Sequence, residues 1–292
     1  MDRFDCYELC VQSPRHVVGF LRRVHGGEPT VLREDFCGTA AICRRWVDEG
    51  RRAGQRWRAV GVDLDAAVIE RARRECASAG LAEDIELVCE DATEGGRSLQ
   101  DRGIGVEGWL PRRTSANRRH TELGDGCDVI FVGNFSIGYI HERAALVRYL
   151  RASHERLSRG NAGFGGGVMV CDVYDGPGKY TLGSITRMHP GRGHETVRYT
   201  WEHREADALT SMVTNAIHFQ VEVEGEVVDG GRMPDAFIYR WRLWSIPELR
   251  EAMREAGFAF TEVYQDVGPD AAPLENGREL RESGIVCVIG RA

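Results

Sequence analysis

The chain has no C-x-x-C pair, although it carries nine cysteines in 292 residues. Cys6, Cys10, Cys37, Cys43, Cys76, Cys89, Cys127, Cys171 and Cys287 are scattered and odd in number. That is the pattern of reduced thiols, not of a disulfide framework or a zinc site. Cys6 and Cys10 would share one helix face, but no histidine accompanies them, so packing is their expected role. No apolar run approaches the ~20 residues that a membrane-spanning helix needs. The first residues, MDRFDCYELC, carry acids where a signal peptide would have an apolar core. Net positive charge is missing too: a formal charge of −7 and a pI near 5.8 give no overall attraction to nucleic acid or an anionic membrane. No internal repeat is found. These absences lead us to expect a cytoplasmic protein with no metal, no membrane and no nucleic acid as partner. What is present, 42% hydrophobic and 28% charged residues, is the composition of a globular chain able to bury a large core. Its length suits one α/β domain with an insertion.

Glycine is scarce at the one place where a nucleotide-binding corner would use it. The stretch Thr30–Cys43, TVLREDFCGTAAIC, reads as a short apolar strand (Val31, Leu32), a turn with two acids and one glycine, and a helix start. In doubly wound α/β domains, strand, tight turn and helix in that order bring backbone N–H groups and the positive end of a helix to a ligand. Upstream, residues 3–25 give two short amphipathic helices broken at Ser13-Pro14, with Ser13 as a cap and Pro14 at the first helical position. Such a preamble can lie over a ligand cleft, which makes Tyr7 and Gln12 candidates to touch a substrate.

The alternation continues downstream. A helix over Ala40–Glu49 leads to a second strand, Arg58–Val62, ending in Asp63-Leu64-Asp65. Asp63 stands 25 residues past Gly38, near the ~20-residue offset of a ribose-binding acid. A helix over Ala66–Ala79, closed by Gly80, precedes a third strand, Ile85–Cys89, which ends in Glu90-Asp91. Acids therefore stand at three successive strand ends, and this is the strongest functional signal in the sequence. Residues 94–126, rich in Gly and Arg and without period, are expected to form an exposed loop. A fourth strand (Asp128–Val132), a helix (Glu142–Leu157) and a fifth strand (Val168–Val173, leading into Tyr174) follow. Between 179 and 244 the pattern predicts three antiparallel strands, Thr196–Trp201, Ser211–Val223 and Phe237–Trp244. A capped helix from Ser245 to Ala256 and a final antiparallel pair, Phe258–Tyr264 and Gly284–Ile289, complete the chain.

This order resembles the class I S-adenosylmethionine-dependent methyltransferases. LREDFCGTA stands where that family has an acid, a spacer and a Gly-x-Gly-x-Gly turn, and GVDLD with its Ala-rich helix is similar to the second motif. YRWRLWSIPELREAMREAGF resembles the helix and turn that precede the last two strands in the small-molecule members. The EDFCGTA form is similar to that of a subgroup whose acceptor is undefined. The resemblance covers most of the chain outside 94–126. It implies an α/β fold: a doubly wound, seven-stranded, mostly parallel sheet with a terminal antiparallel strand, plus a small antiparallel β insertion. It also implies an N-terminal helical cap (1–27), a Rossmann-like S-adenosylmethionine-binding core (28–178 and 245–292) and an acceptor-facing insertion (179–244).

Carried over residue by residue, the resemblance implies a cofactor site of Glu34, Asp35, Phe36, Cys37, Gly38, Asp63, Leu64, Asp91, Ala92 and Asn134. Gly38 matches the central glycine beside the methionine part, and Glu34 the acid for the amino group, with Asp35 its alternative. Asp63 matches the ribose acid, with Asp65 a near alternative, and Asp91 the acid that meets the adenine amino group. Phe36 and Ala40 replace the first and third glycines. Phenylalanine lacks glycine's easy positive φ, so the turn is expected to be reshaped or Phe36 to point away. Asn134, Tyr139 and Tyr174 are the catalytic candidates, and His141 and Asp172 also lie where a base could act. Tyr7, Arg240 and Arg242 are the acceptor candidates. The two arginines share a strand face suited to a carboxylate or phosphate, unless they form a salt-bridged outer face with Trp241 turned inward. After the fourth strand, NFSI replaces the Asn-Pro-Pro-Tyr type of motif, which with the acidic balance argues for a small acceptor. The expected activity is methyl transfer from S-adenosylmethionine to N or O of a small molecule, with a second copy of the chain, as a homodimer, the one protein partner considered. A nicotinamide-dependent oxidoreductase and a non-catalytic S-adenosylmethionine-binding protein are the alternatives.

Overall fold

The computed structural model describes residues 1–94, 126–158, 166–275, 280 and 284–292, so the body of the expected 94–126 loop lies outside the described residues. The chain opens with α1 (Arg3–Cys10) and α2 (Pro14–His25), then alternates β1 (Val31–Asp35), α3 (Ala41–Arg52), β2 (Arg58–Asp63), α4 (Ala66–Ser78) and β3 (Ile85–Cys89). After β4 (Val129–Val132), α5 (Arg143–Arg156) and β5 (Val168–Asp175) comes a meander of β6 (Gly183–Pro190), β7 (Glu195–Asp207), β8 (Met212–Val223) and β9 (Glu226–Arg242). Finally α6 (Ile246–Ala256), β10 (Phe260–Tyr264) and β11 (Gly284–Arg291) return to the first sheet.

The main sheet has the order β10-β11-β5-β4-β1-β2-β3, parallel except for β11, which runs against both neighbours. Period-two alternation splits its core into two layers. Val129 and Phe131 of β4, with Val168 and Val170 of β5, face α2, α3 and α4. Ile130, Val132, Met169 and Cys171 face α5 and α6. Strand order reverses between β1 and β4, the switch point at whose carboxyl edge open α/β sheets bind ligands.

The insertion differs from expectation in one element. It has four antiparallel strands, not three, because β6 was not read as a strand. Nearly every β6 residue is exposed, so as an edge strand it carries no alternating apolar signal. Trp201, Ile217, Tyr239 and Trp241 on the inner face look toward the carboxyl edge of the main sheet. The preamble helices separate: α2 packs into the main core through Val18, Phe20, Leu21 and Val24, while Cys6 of α1 packs on the meander. Ser13 stands at the N-cap of α2, but its side chain makes no capping hydrogen bond there. All nine cysteines are free.

The start of α6 follows its sequence closely. Ser245 accepts from the Glu248 N–H, while Glu248 accepts from the Ser245 N–H, closing a reciprocal cap. Ser245→Ala is expected to cost about 1 kcal/mol, read as a lower urea midpoint with an unchanged slope.

Candidate active site

Two adjoining cavities open at the carboxyl edge of the parallel strands. The larger, about 600 Å³, runs over the β1–α3 turn and the ends of β2 and β3. The smaller, about 240 Å³, lies between the ends of β4 and β5 and the inner face of the meander. Tyr7, Asn134 and Tyr239 line both.

The β1–α3 turn forms the floor of the larger cavity. Cys37 donates its N–H to the Val62 carbonyl at 2.9 Å, and Gly38 donates to Asp63 Oδ2 at 2.8 Å. Phe36, Gly38 and Ala40 have φ of 59°, 54° and 58°. Left-handed backbone costs ~1–3 kcal/mol for each residue that carries a side chain. The expectation that Phe36 would avoid positive φ or turn away is thus corrected. Its ring lines the cavity, stacked on Tyr139 at 6.2 Å between centroids, and this packing helps hold the turn. Beneath the turn β2 needs glycine, since a Cβ on Gly61 would meet Cys37 Sγ at 2.9 Å.

The strand-end acids do not act as one set. Side chains alternate along β1, so consecutive Glu34 and Asp35 leave the central strand on opposite faces. Glu34 accepts from Cys43 N and Sγ at 3.2 and 3.0 Å on the α3 side. Asp35 accepts from Tyr149 of α5 at 2.8 Å and pairs with Arg33 at 2.8 Å. Both are buried and neither lines the cavity. Asp63 and Asp91 do line it. Asp63 holds the N–H groups of Gly38 and Asp65, while one Asp91 oxygen holds the Thr93 N–H and hydroxyl. Asp65 also borders the cavity but is engaged as the N-cap of α4. Cys37, Leu64 and Ala92 complete the predicted residues found there. Leu64 is 71% exposed, an apolar platform beside the two carboxylates. Gln12 contributes a buried Oε1 with no hydrogen bond among the described residues. Carboxylates for ribose hydroxyls and amino groups, an apolar surface for a base and an orphaned acceptor fit S-adenosylmethionine.

Charge holds α1 over this cavity. Glu8 pairs with Arg44 at 2.7 Å and accepts from the Thr39 hydroxyl, while Arg71 pairs with Asp5 at 2.9 Å and with Asp2.

At the junction of the cavities, Asn134 and Phe135 both adopt left-handed backbone, with φ of 54° and 59°. Their N–H groups donate to the two oxygens of Asp172, at 2.9 and 2.6 Å. Asp172 is 8% exposed and borders the smaller cavity. Burial pushes its pKa up to about 7, against the lowering effect of the two N–H groups. Tyr174, two residues on, lines the same cavity, whereas Tyr139 lines the larger one. Arg240 and Arg242 are not brought to either of these cavities. Arg242 donates to the His141 carbonyl at 2.9 Å and lies over Trp244, and Arg240 is exposed, its carbonyl beside the His141 ring. The residues between them explain why: Phe237, Tyr239 and Trp241 occupy the cavity face of β9, and alternation sends the arginines outward. Trp241 turned inward is the alternative expected for that strand, while Phe237 and Tyr239, with Trp201 and Tyr199 of β7, are the lining that sequence reasoning missed. Their i, i+2 spacing in FIYRWR was the available signal.

The sheet order departs from the dinucleotide-binding order 3-2-1-4-5-6 at its far edge, where reversed β11 stands between β5 and β10. That arrangement is the fold of the class I S-adenosylmethionine-dependent methyltransferases. A solved S-adenosylmethionine-dependent methyltransferase from Clostridium acetobutylicum matches with a TM-score of 0.61 at 15% identity, covering 98% of this chain and 95% of that one. The sugar N-methyltransferase KedS8 from Streptoalloteichus sp. matches at 0.60 and 18% identity, over 98% and 90% of the two chains. CalS10, an amino pentose methyltransferase from Micromonospora echinaspora solved with S-adenosylmethionine bound, matches at 0.58 and 14% identity, over 98% and 94%. No protein-family model matches the sequence, and no curated protein does. Among the described residues no helix is long and apolar enough to cross a membrane.

Burial also raises Glu34 to a pKa of about 8, the Cys43 hydrogen bonds opposing. A carboxyl whose pKa is raised on folding binds more protons in the native state. Its contribution is complete below about 4.5 and is lost as pH rises toward about 8. Glu34→Gln, neutral throughout, is therefore expected to melt near the wild-type temperature at pH 5 and above it at pH 9. Parallel melting curves across that range would contradict the buried protonated carboxyl.

Proposed function

We propose that this protein transfers a methyl group from S-adenosylmethionine to a nitrogen or oxygen of a small molecule. The observation that carries the reading is the pair of cavities meeting at Tyr7, Asn134 and Tyr239, one suited to an adenosine-bearing cofactor and the other walled by aromatic side chains. S-adenosylmethionine supplies a methyl group already activated on a sulfonium. The chain must then align the acceptor, exclude water and take up a proton where the acceptor has one to lose. Asp63 and Asp91 hold the ribose and the adenine amino group, Gly38 and Cys37 give backbone contact, and Leu64 and Ala92 flank the base. Asn134 orients the acceptor at the junction, and Tyr7, Tyr139 and Tyr174 shape its approach. Asp172 borders the acceptor side, and its pKa of about 7 suits a general base near neutral pH. The neighbours' small-molecule and sugar acceptors agree with an acceptor of modest size.

Calorimetry with S-adenosylhomocysteine tests the cofactor half, and Asp63→Ala is expected to weaken binding by ~1–3 kcal/mol by leaving polar partners unsatisfied. An absence of binding heat with both sulfur nucleotides, alongside binding of NAD, would transfer the site to a nicotinamide enzyme. Binding without turnover over a broad acceptor panel would instead favour a non-catalytic binder. For the second half, kcat/KM is expected to rise with pH through about 7 and then level off. Asp172→Asn should abolish that limb, and S-adenosylhomocysteine affinity measured on the same variant separates loss of the base from displacement of Asn134, which Asp172 holds.

A further inference from the structure

Two buried polar side chains of the meander have no hydrogen-bond partner among the described residues. Both ring nitrogens of His203 and both amide atoms of Asn215 are unsatisfied, though the residues are only 4% and 1% exposed. They stand directly opposite each other across β7 and β8, and Asn215 stands opposite Tyr239 across β8 and β9. Residues two apart on a strand share a face. His203 therefore shares the face of Trp201, and Asn215 that of Ile217, both of which line the smaller cavity. Tyr174, another wall of that cavity, sets its ring edge-on to His203 at 6.1 Å between centroids. On the other flank of His203 the opposite residue is Gly183, where an added Cβ would meet nothing within 4 Å.

Four unsatisfied buried polar atoms in one place run against the rule of a native core, where nearly every buried polar group finds a partner. Sheet packing does not call for them, since other positions on the same face are filled by Val197, Val213 and Val221. Burial lowers the His203 pKa, so the ring is neutral, with one donor and one acceptor nitrogen. Asn215 likewise offers a donor and an acceptor. A group that meets both must donate and accept without bringing charge, because an ion here would be buried against neutral partners. A hydroxyl has those properties, and the rings of Trp201 and Tyr239 give its carbon frame an apolar surface.

We infer that His203 and Asn215 determine acceptor specificity by hydrogen-bonding a hydroxyl on an uncharged, ring-like part of the acceptor. This rests on the methyl-transfer reading of the adjoining cavities, and the two can fail separately. The test uses trans-2-aminocyclohexanol and cyclohexylamine, titrated by ligand-observed NMR into the protein loaded with S-adenosylhomocysteine. The wild-type protein should bind the hydroxylated amine about tenfold more tightly. His203→Phe with Asn215→Leu should bring the ratio to about one with S-adenosylhomocysteine affinity unchanged, and Asn215→Leu alone serves if the double variant does not fold. Equal affinities in the wild type, or a ratio that survives the substitutions, would overturn the assignment. So would a lower melting temperature with an unchanged ratio, which would give the polar pair to buried water. If S-adenosylhomocysteine does not bind at all, the methyl-transfer reading fails, and the same ratio measured on the free protein still decides the role of His203 and Asn215.

Discussion

The geometry of the site depends on one carboxylate accepting two adjacent backbone N–H groups. Asp172 within β5 holds Asn134 and Phe135 just past β4, both in left-handed backbone. Successive N–H groups in such a conformation form a natural anion cradle, and the charge-assisted bonds offset the strain. Without that tie the two left-handed residues would lose the bonds that offset their strain, and Asn134 is the residue of this segment that lines both cavities. The Phe135 ring packs edge-on against Tyr174, Trp201 and Trp241. A single buried acid thus joins the parallel sheet to the meander at the point where the two ligands would meet.

The main sheet was legible because it rests on local rules: apolar runs of strand length, glycine or a cap at helix ends, and period-two alternation. The Ser245–Glu248 cap and the Gly80 stop read directly from sequence, and the reversed last pair was expected as found. The site was legible only in part, since a strand-end acid announces its type but not its direction. Asp63 ends β2 and Asp91 follows β3, and both face the cavity, whereas Glu34 and Asp35 of β1 are buried against the helices on the two sides of the sheet. The same rule misdirected attention to Arg240 and Arg242, whose neighbours Tyr239 and Trp241 take the inward face. What no local pattern could give was the pairing of distant segments, such as His203 with Asn215 or Asp172 with Asn134.

The turn after β1 has a consequence of its own. A glycine-rich corner is supple in the unfolded chain and must be ordered each time it forms. Here Phe36 and Ala40 take the left-handed conformation with side chains attached. Each sacrifices some folded-state comfort but leaves the unfolded chain fewer conformations to lose. Backed by Asp63 below and Tyr139 beside it, such a corner is already set before any ligand arrives. Ligand association at this edge therefore carries a smaller ordering penalty than at a flexible glycine loop.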